Sequence, residues 1–439
     1  MTTVRTKYAD AGDIQIAYQV HGTRDEVLFV VPGLISHIEL QWELPEYRQW
    51  LNALAEYFKV IVFDKRGQGL SDRSAGVPGP EQRMDDITAI AVAEGIERFS
   101  LFGYSEGATI AILYAASFPD RVKSIAAFAG FARFSNCDDY PHMHEAEDLL
   151  KMVEHWGSGG FGYAVIPEKM PEARELMGRL ERACATPNAF RAMLETNFKI
   201  DIRAVLPEIR TPVLVMHCRD DVGVPVANGR YIADHLPNAQ YIEFPHGGHM
   251  PWLSANADVV DAVSRFMLED DESNEIKQSS QTYLSTVLFT DIVSSSEQLA
   301  ELGDQAWRQK LDEHDRLAKR EIELHQGRMV KHTGDGLLVT FDGPARAIRC
   351  AKALTTPIAA LGMEIRCGLH IGEVEPRGGD ITGLAVHVAA RVMDQASPGE
   401  TLITRTLHDL TAGAGLNFVD CGQFDLKGLP EPWQLYRVP

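Results

Sequence analysis

Phe99-Ser100-Leu101-Phe102-Gly103-Tyr104-Ser105-Glu106-Gly107 is an apolar strand that runs into a G-x-S-x-G turn and opens a helix. So sharp a turn exposes its serine, and only small flanking residues tolerate the crowding. Around it, the short apolar runs Val27–Val31, Val60–Phe63, Ser124–Ala129 and Pro212–His217 alternate with helical patterns such as Gly107–Phe118, stopped by Pro119. Alternation of this kind predicts an α/β domain with a mostly parallel sheet and helices on both faces. Between the last two runs, about 132–209, the pattern is helical, as in Glu172–Ala183 and Pro187–Phe198. An insert there predicts a cap over the C-terminal edge of the sheet.

With 439 residues the chain exceeds one ordinary core. The polar, acidic stretch Glu269–Gln281 reads as a solvated linker. The expected organisation is therefore 1–268, linker 269–281, and 282–439. A net charge of −20 argues against nucleic acid or an anionic membrane as a general partner, though not against a nucleotide substrate. No apolar run reaches membrane-spanning length, and Met1–Arg5 starts no apolar signal segment. The six cysteines are scattered without a C-x-x-C pair, so neither a disulfide framework nor a zinc site is expected; a reducing cytoplasm is the expected location.

Two more pieces follow Ser105 in order. Asp221 lies in Arg219-Asp220-Asp221-Val222-Gly223-Val224-Pro225, and His249 in Pro245-His246-Gly247-Gly248-His249-Met250-Pro251-Trp252. With Phe63-Asp64-Lys65-Arg66-Gly67-Gln68-Gly69-Leu70-Ser71-Asp72, they make the first domain resemble the α/β-hydrolase family over about its whole length. The resemblance implies that Ser105 attacks, His249 takes and returns its proton, and Asp221 orients His249. The backbone N–H groups of Leu34 and Glu106 would stabilise the oxyanion. Where the family usually has His-Gly, this chain has Val31-Pro32-Gly33-Leu34, and Glu106 sets a carboxylate beside the serine. The expected ligand is a small apolar ester or acyl compound, either hydrolysed or sensed.

The second domain carries three stretches of another character. Leu288-Phe289-Thr290-Asp291-Ile292-Val293-Ser294-Ser295-Ser296-Glu297 is a strand, a Ser-rich turn and a helix start. Lys331-His332-Thr333-Gly334-Asp335-Gly336 is a tight turn between strands. Asp380-Ile381-Thr382-Gly383-Leu384-Ala385-Val386-His387-Val388-Ala389-Ala390-Arg391 leads into a helix. Hard cations need carboxylate oxygens and leave positions for substrate phosphates. A helix start offers unpaired N–H groups that favour phosphate.

Together these stretches resemble the α+β catalytic domain of class III nucleotidyl cyclases, over about 282–438. The resemblance implies two Mg²⁺ or Mn²⁺ ions on Asp291 and Asp335, with the Ile292 carbonyl as an extra ligand. It implies that Lys331 and Asp380 read the base. A lysine donor and an aspartate acceptor match adenine rather than guanine, so ATP is the expected nucleotide. Arg391 would meet the α-phosphate. His387, four residues earlier on the same helix face, stands where the family usually has asparagine. Lys427 is a candidate triphosphate contact. Because this family splits its site between two protomers, a homodimer is implied.

Each of these residues alone admits a plainer reading: a turn serine, a helix-cap aspartate, a hairpin Asp-Gly, a solvated lysine. Their joint order carries the expectation of an adenylyl cyclase fused to a hydrolase-like domain. The alternative is a working serine hydrolase with a degraded, regulatory cyclase domain.

Overall fold

The computed structural model describes residues 4–73, 77–159, 171–253, 256–269, 282–411 and 413–439. The chain divides into two compact units, Met1–Gln278 and Ser279–Pro439. The linker expected over 269–281 lies, except for its first residue, outside the described residues.

The first unit is built on eight strands: β1 (Lys7–Asp10), β2 (Gln15–His21), β3 (Val27–Val31), β4 (Lys59–Phe63), β5 (Phe99–Tyr104), β6 (Val122–Phe128), β7 (Val213–Cys218) and β8 (Ala239–Phe244). Their order is β1-β2-β4-β3-β5-β6-β7-β8. Pairing is parallel from β4 to β8, and antiparallel where β1 meets β2 and β2 meets β4. Every residue of β5 is buried, and so is every residue of the helix Glu106–Ser117 that follows it. A helix apolar on all sides belongs at the centre of a core. The α/β-hydrolase fold expected from the sequence is present. β1, β2 and β8 were not among the strands read from apolar runs. β8 lies at the sheet edge, and its mostly half-buried residues make no continuous apolar run. The insert contributes the helices Pro171–Cys184 and Pro187–Asn197, each opened by a proline, which costs nothing at a first turn.

The second unit has β9 (Tyr283–Ile292), β10 (Arg328–His332), β11 (Leu337–Phe341), β12 (Ile365–Arg377), β13 (Asp380–Thr382), β14 (Thr401–Thr404), β15 (Val419–Phe424) and β16 (Trp433–Arg437). The sheet runs β10-β11-β9-β12-β14-β16-β15, with β13 paired to β12. Only the β12–β14 pairing among these is parallel. The helix Leu384–Gln395 packs on β12 and buries Ala385, Val388, Ala389 and Val392. A Cβ at Gly368 would run into the Met393 backbone, so glycine there lets the helix lie close against the strand. This is the mixed α+β arrangement expected. Among the described residues, no helix is long and apolar enough to cross a membrane. All six cysteines are free thiols.

Candidate functional site

Ser105 stands between β5 and the helix Glu106–Ser117 at φ 54°, ψ −127°, a conformation a side chain adopts only under constraint. The constraint is visible. The Ser105 N–H donates to the Phe128 carbonyl at 2.9 Å, and a Cβ on Gly107 would collide with the Val31 carbonyl. The strand–turn–helix pattern therefore forces the serine outward at the C-terminal end of the sheet.

His249 and Asp221 reach the site from loops after β8 and β7. His249 Nδ1 donates to Asp221 Oδ2 at 2.8 Å. Asp221 Oδ1 accepts from the N–H groups of Gly223 (2.8 Å) and Val224 (3.0 Å). A second histidine, His217, places Nε2 3.3 Å from Asp221 Oδ2 and 2.8 Å from the Val224 carbonyl. Burial works against a charge on Asp221, but His249 and His217 outweigh it and hold the carboxyl well below its usual range. Asp220 accepts from the Gly248 N–H at 3.0 Å and so shapes the turn that delivers His249.

Ser105, His249 and Leu34 line one cavity of about 620 Å³ including its mouth. Its walls are apolar: Leu44, Leu176, Met177, Leu180, Met250 and Trp252, the leucines and methionine at 176–180 coming from the cap helix. Trp252 stands edge-on to Tyr104 and Tyr47, with ring centroids 5.2 and 5.0 Å away.

The Glu106 side chain, 1% exposed, forms ion pairs with Lys65 (3.0 Å) and Arg83. Lys65 Nζ also donates to the carbonyls of Gly33 (2.6 Å) and Leu34 (2.9 Å). Gln68 adds a bond to the Leu34 carbonyl at 2.9 Å and accepts from the Ser36 N–H. The loop without His-Gly is thus anchored from beneath by Lys65 and Gln68. Neither was read as a site residue, although both lie in the quoted Phe63–Asp72 stretch. Nothing local in that stretch tells which carbonyls they meet.

In the second unit, β11 sets Leu337 opposite Thr290, so the Asp335 turn lies at the end of β9 where Asp291 sits. Asp291, its side chain a quarter exposed, accepts from Arg366 Nε (2.9 Å) and NH2 (2.6 Å). Arg366 lies directly across the β9–β12 ladder from Asp291 and was not anticipated. The Ile292 side chain is buried. Ser294 is left-handed at φ 54° and its side chain makes no cap bond, so the helix Ser295–Leu302 does not cap itself there. Lys331 and Asp380, 49 positions apart, form an ion pair, both half-exposed. His387 is exposed on the helix Leu384–Gln395, and one turn on Arg391 pairs with Asp394 at 2.9 Å. Lys427 is exposed on the loop before β16. Among the described residues, no three or more His, Cys, Asp or Glu side chains gather as a metal site. A cation at Asp291 and Asp335 would need further oxygens from backbone or substrate.

Residues 27–262 match the model of the alpha/beta hydrolase family, and the chain belongs to that family. It is 30% identical over 212 residues to a protein of Caulobacter sp. (strain K31) named "Putative carbamate hydrolase RutD", covering 45% of this chain and 76% of that protein. It is 33% identical over 124 residues to a Rhizobium meliloti protein named "Putative adenylate cyclase 3". That likeness lies in the C-terminal region and spans 26% of this chain and 21% of the relative. Among solved structures, an esterase from Exiguobacterium antarcticum shares the fold at TM-score 0.55 and 18% identity, over 60% of this chain and 100% of the other.

Proposed function

We propose that the C-terminal domain is an adenylyl cyclase converting ATP to cyclic AMP and pyrophosphate, and that the N-terminal domain is a serine hydrolase for a small apolar ester or acyl compound. The observation that carries the cyclase reading is the pairing of Lys331 with Asp380. Two residues distant in sequence meet as one donor and one acceptor, a set complementary to the N1 and N6 edge of adenine. Base binding would exchange their mutual ion pair for hydrogen bonds to the ring.

Two carboxylates at one sheet end fit a hard divalent cation, and Asp291 already holds the cationic Arg366. Mg²⁺ or Mn²⁺ held by Asp291 and Asp335, with the Ile292 carbonyl, would supply Lewis acidity toward the 3′-hydroxyl and the triphosphate. Arg366 would then receive phosphate oxygens, and the uncapped helix start after Ser294 would offer N–H groups to the same anion. Arg391 would neutralise charge at the α-phosphate, His387 would donate to the ribose, and Lys427 would add a triphosphate contact. The stripe Leu384, His387 and Arg391 leaves a 64%-exposed leucine on the helix carrying these groups, which supports a second copy of the chain closing each site.

In the hydrolase, Ser105 would attack the ester carbonyl as His249 takes its proton. The N–H groups of Leu34 and Glu106 would receive the oxyanion. The apolar cavity favours an uncharged acyl group.

Full-length protein with Mn²⁺ and ATP is expected to release cyclic AMP, and Asp291→Ala to abolish it. A p-nitrophenyl ester is expected to be cleaved by wild type and not by Ser105→Ala. Ester turnover without cyclic AMP formation would instead favour a working hydrolase with a regulatory nucleotide-binding domain; the His249–Asp221 hydrogen bond beside the cavity that Ser105 lines, and the histidine at 387, support that second reading.

A further inference from the structure

We propose that Lys65 is the positioning residue of the oxyanion hole, its buried ammonium fixing and polarising the Gly33–Leu34 peptide. The inference rests on the hydrolase reading above and adds to it a residue outside the triad.

Lys65 Nζ meets three acceptors: the Gly33 carbonyl at 2.6 Å, the Leu34 carbonyl at 2.9 Å and Glu106 Oε2 at 3.0 Å. Burial and the neighbouring Arg83 push the Lys65 ammonium well below its usual range. But three acceptors at 2.6–3.0 Å, one of them a carboxylate, use three N–H bonds, which only the cationic amine has, and that geometry holds the proton. The Gly33 carbonyl and the Leu34 N–H are the two ends of one planar peptide group, so gripping the oxygen sets the direction of the N–H. A carbonyl that accepts from a cation also draws charge through the peptide and makes its N–H a stronger donor. The second oxyanion donor is the N–H of Glu106, and the Glu106 side chain is tied to the same ammonium. One cation therefore braces the residues that supply both donors. The Lys65 and Glu106 side chains are 7% and 1% exposed, so solvent screens little of this. Glu106 is also ion-paired with Arg83, which donates on to Asn197 Oδ1 at 3.0 Å. The carboxylate beside the nucleophile is accordingly spoken for by cations and does not oppose a developing negative charge.

The test compares full-length wild type, Lys65→Arg, and the double variant Lys65→Met/Glu106→Gln, which removes both charges while keeping bulk. Readouts are kcat and KM on a p-nitrophenyl ester, thermal melting, and affinity for an aryl trifluoromethyl ketone whose hydrated or serine-bound form mimics the tetrahedral state. Direct loss of an oxyanion donor costs about 10²- to 10³-fold in kcat, so loss of its brace is expected to cost roughly 10- to 100-fold. KM should stay within about threefold, the ketone should weaken in parallel with kcat, and Lys65→Arg should fall between the others. A folded double variant with unchanged kcat, or one whose loss lies in KM with the ketone unaffected, overturns the proposal. Failure of both variants to fold also counts against it, since Lys65 would then be holding the fold and not the hole. A wild type lacking Ser105-dependent turnover sinks the hydrolase reading itself, whereas an active wild type with unaffected variants sinks only the role of Lys65.

Discussion

Replacing Asp221 by asparagine tests the hydrolase triad most sharply, because the carboxylate has four donors arranged around two oxygens. Oδ1 accepts from the N–H groups of Gly223 and Val224 at 2.8 and 3.0 Å, while Oδ2 accepts from His249 at 2.8 Å and lies 3.3 Å from His217. An amide keeps one acceptor oxygen. The two backbone donors cannot turn away, so that oxygen stays with them and the NH₂ group faces His249. Nδ1 of His249 must then accept, its proton moves to Nε2, and the ring can no longer take the proton of Ser105. The imidazolium formed during attack also loses its counter-charge. A wrong tautomer with the geometry kept costs about 10⁴-fold in kcat in such triads, or about 5.5 kcal/mol of barrier. Initial rates on a p-nitrophenyl ester at pH 7, with Ser105→Ala as blank and thermal melting as a control, measure it. An Asp221→Asn protein that melts normally yet keeps more than about a tenth of wild-type kcat would refute this account of His249.

Burial, partly opposed by the Leu70 and Ile38 N–H groups, pushes the Asp64 carboxyl up to about 7. Between the unfolded value near 4 and that figure the folded state binds more protons, so this group's contribution to stability falls as pH rises. The melting advantage of wild type over Asp64→Asn is therefore expected to shrink from pH 4 to pH 7; a gap that widens would contradict the sign. Gly107→Ala should destabilise the first unit by about 3 kcal/mol or more, seen as a lower melting midpoint, since the added methyl meets the Val31 backbone, which cannot move aside. Lys331→Glu, at a half-exposed side chain, should leave melting within a few degrees. It should lower kcat/KM for ATP by roughly 10²-fold or more relative to GTP, because an acceptor then faces the acceptor N1 of adenine. An unchanged ATP-to-GTP ratio would remove Lys331 from base recognition.

Local pattern alone determined much of this molecule. Alternating apolar runs and helical stretches specified β3 to β7 of the first sheet, because a parallel strand buried on both faces leaves a continuous apolar signature, while β1, β2 and β8 left none. The G-x-S-x-G turn made Ser105 legible, since its steric demands are met by residues within two positions. Asp291, Asp335, Lys331 and Asp380 were legible as motif members. Only the tertiary structure decided what those side chains meet. Arg366 reaches Asp291 across a ladder pairing 75 positions distant, Lys331 finds Asp380, and His217 joins Asp221 beneath His249. The carboxylate of Glu106, ambiguous as text, became half of a buried pair with Lys65, itself 41 positions away. Apolar periodicity records which face of an element is buried. It carries no record of which partner a buried charge will find, because that depends on strand order and register, and these are settled only when the whole sheet closes around its core.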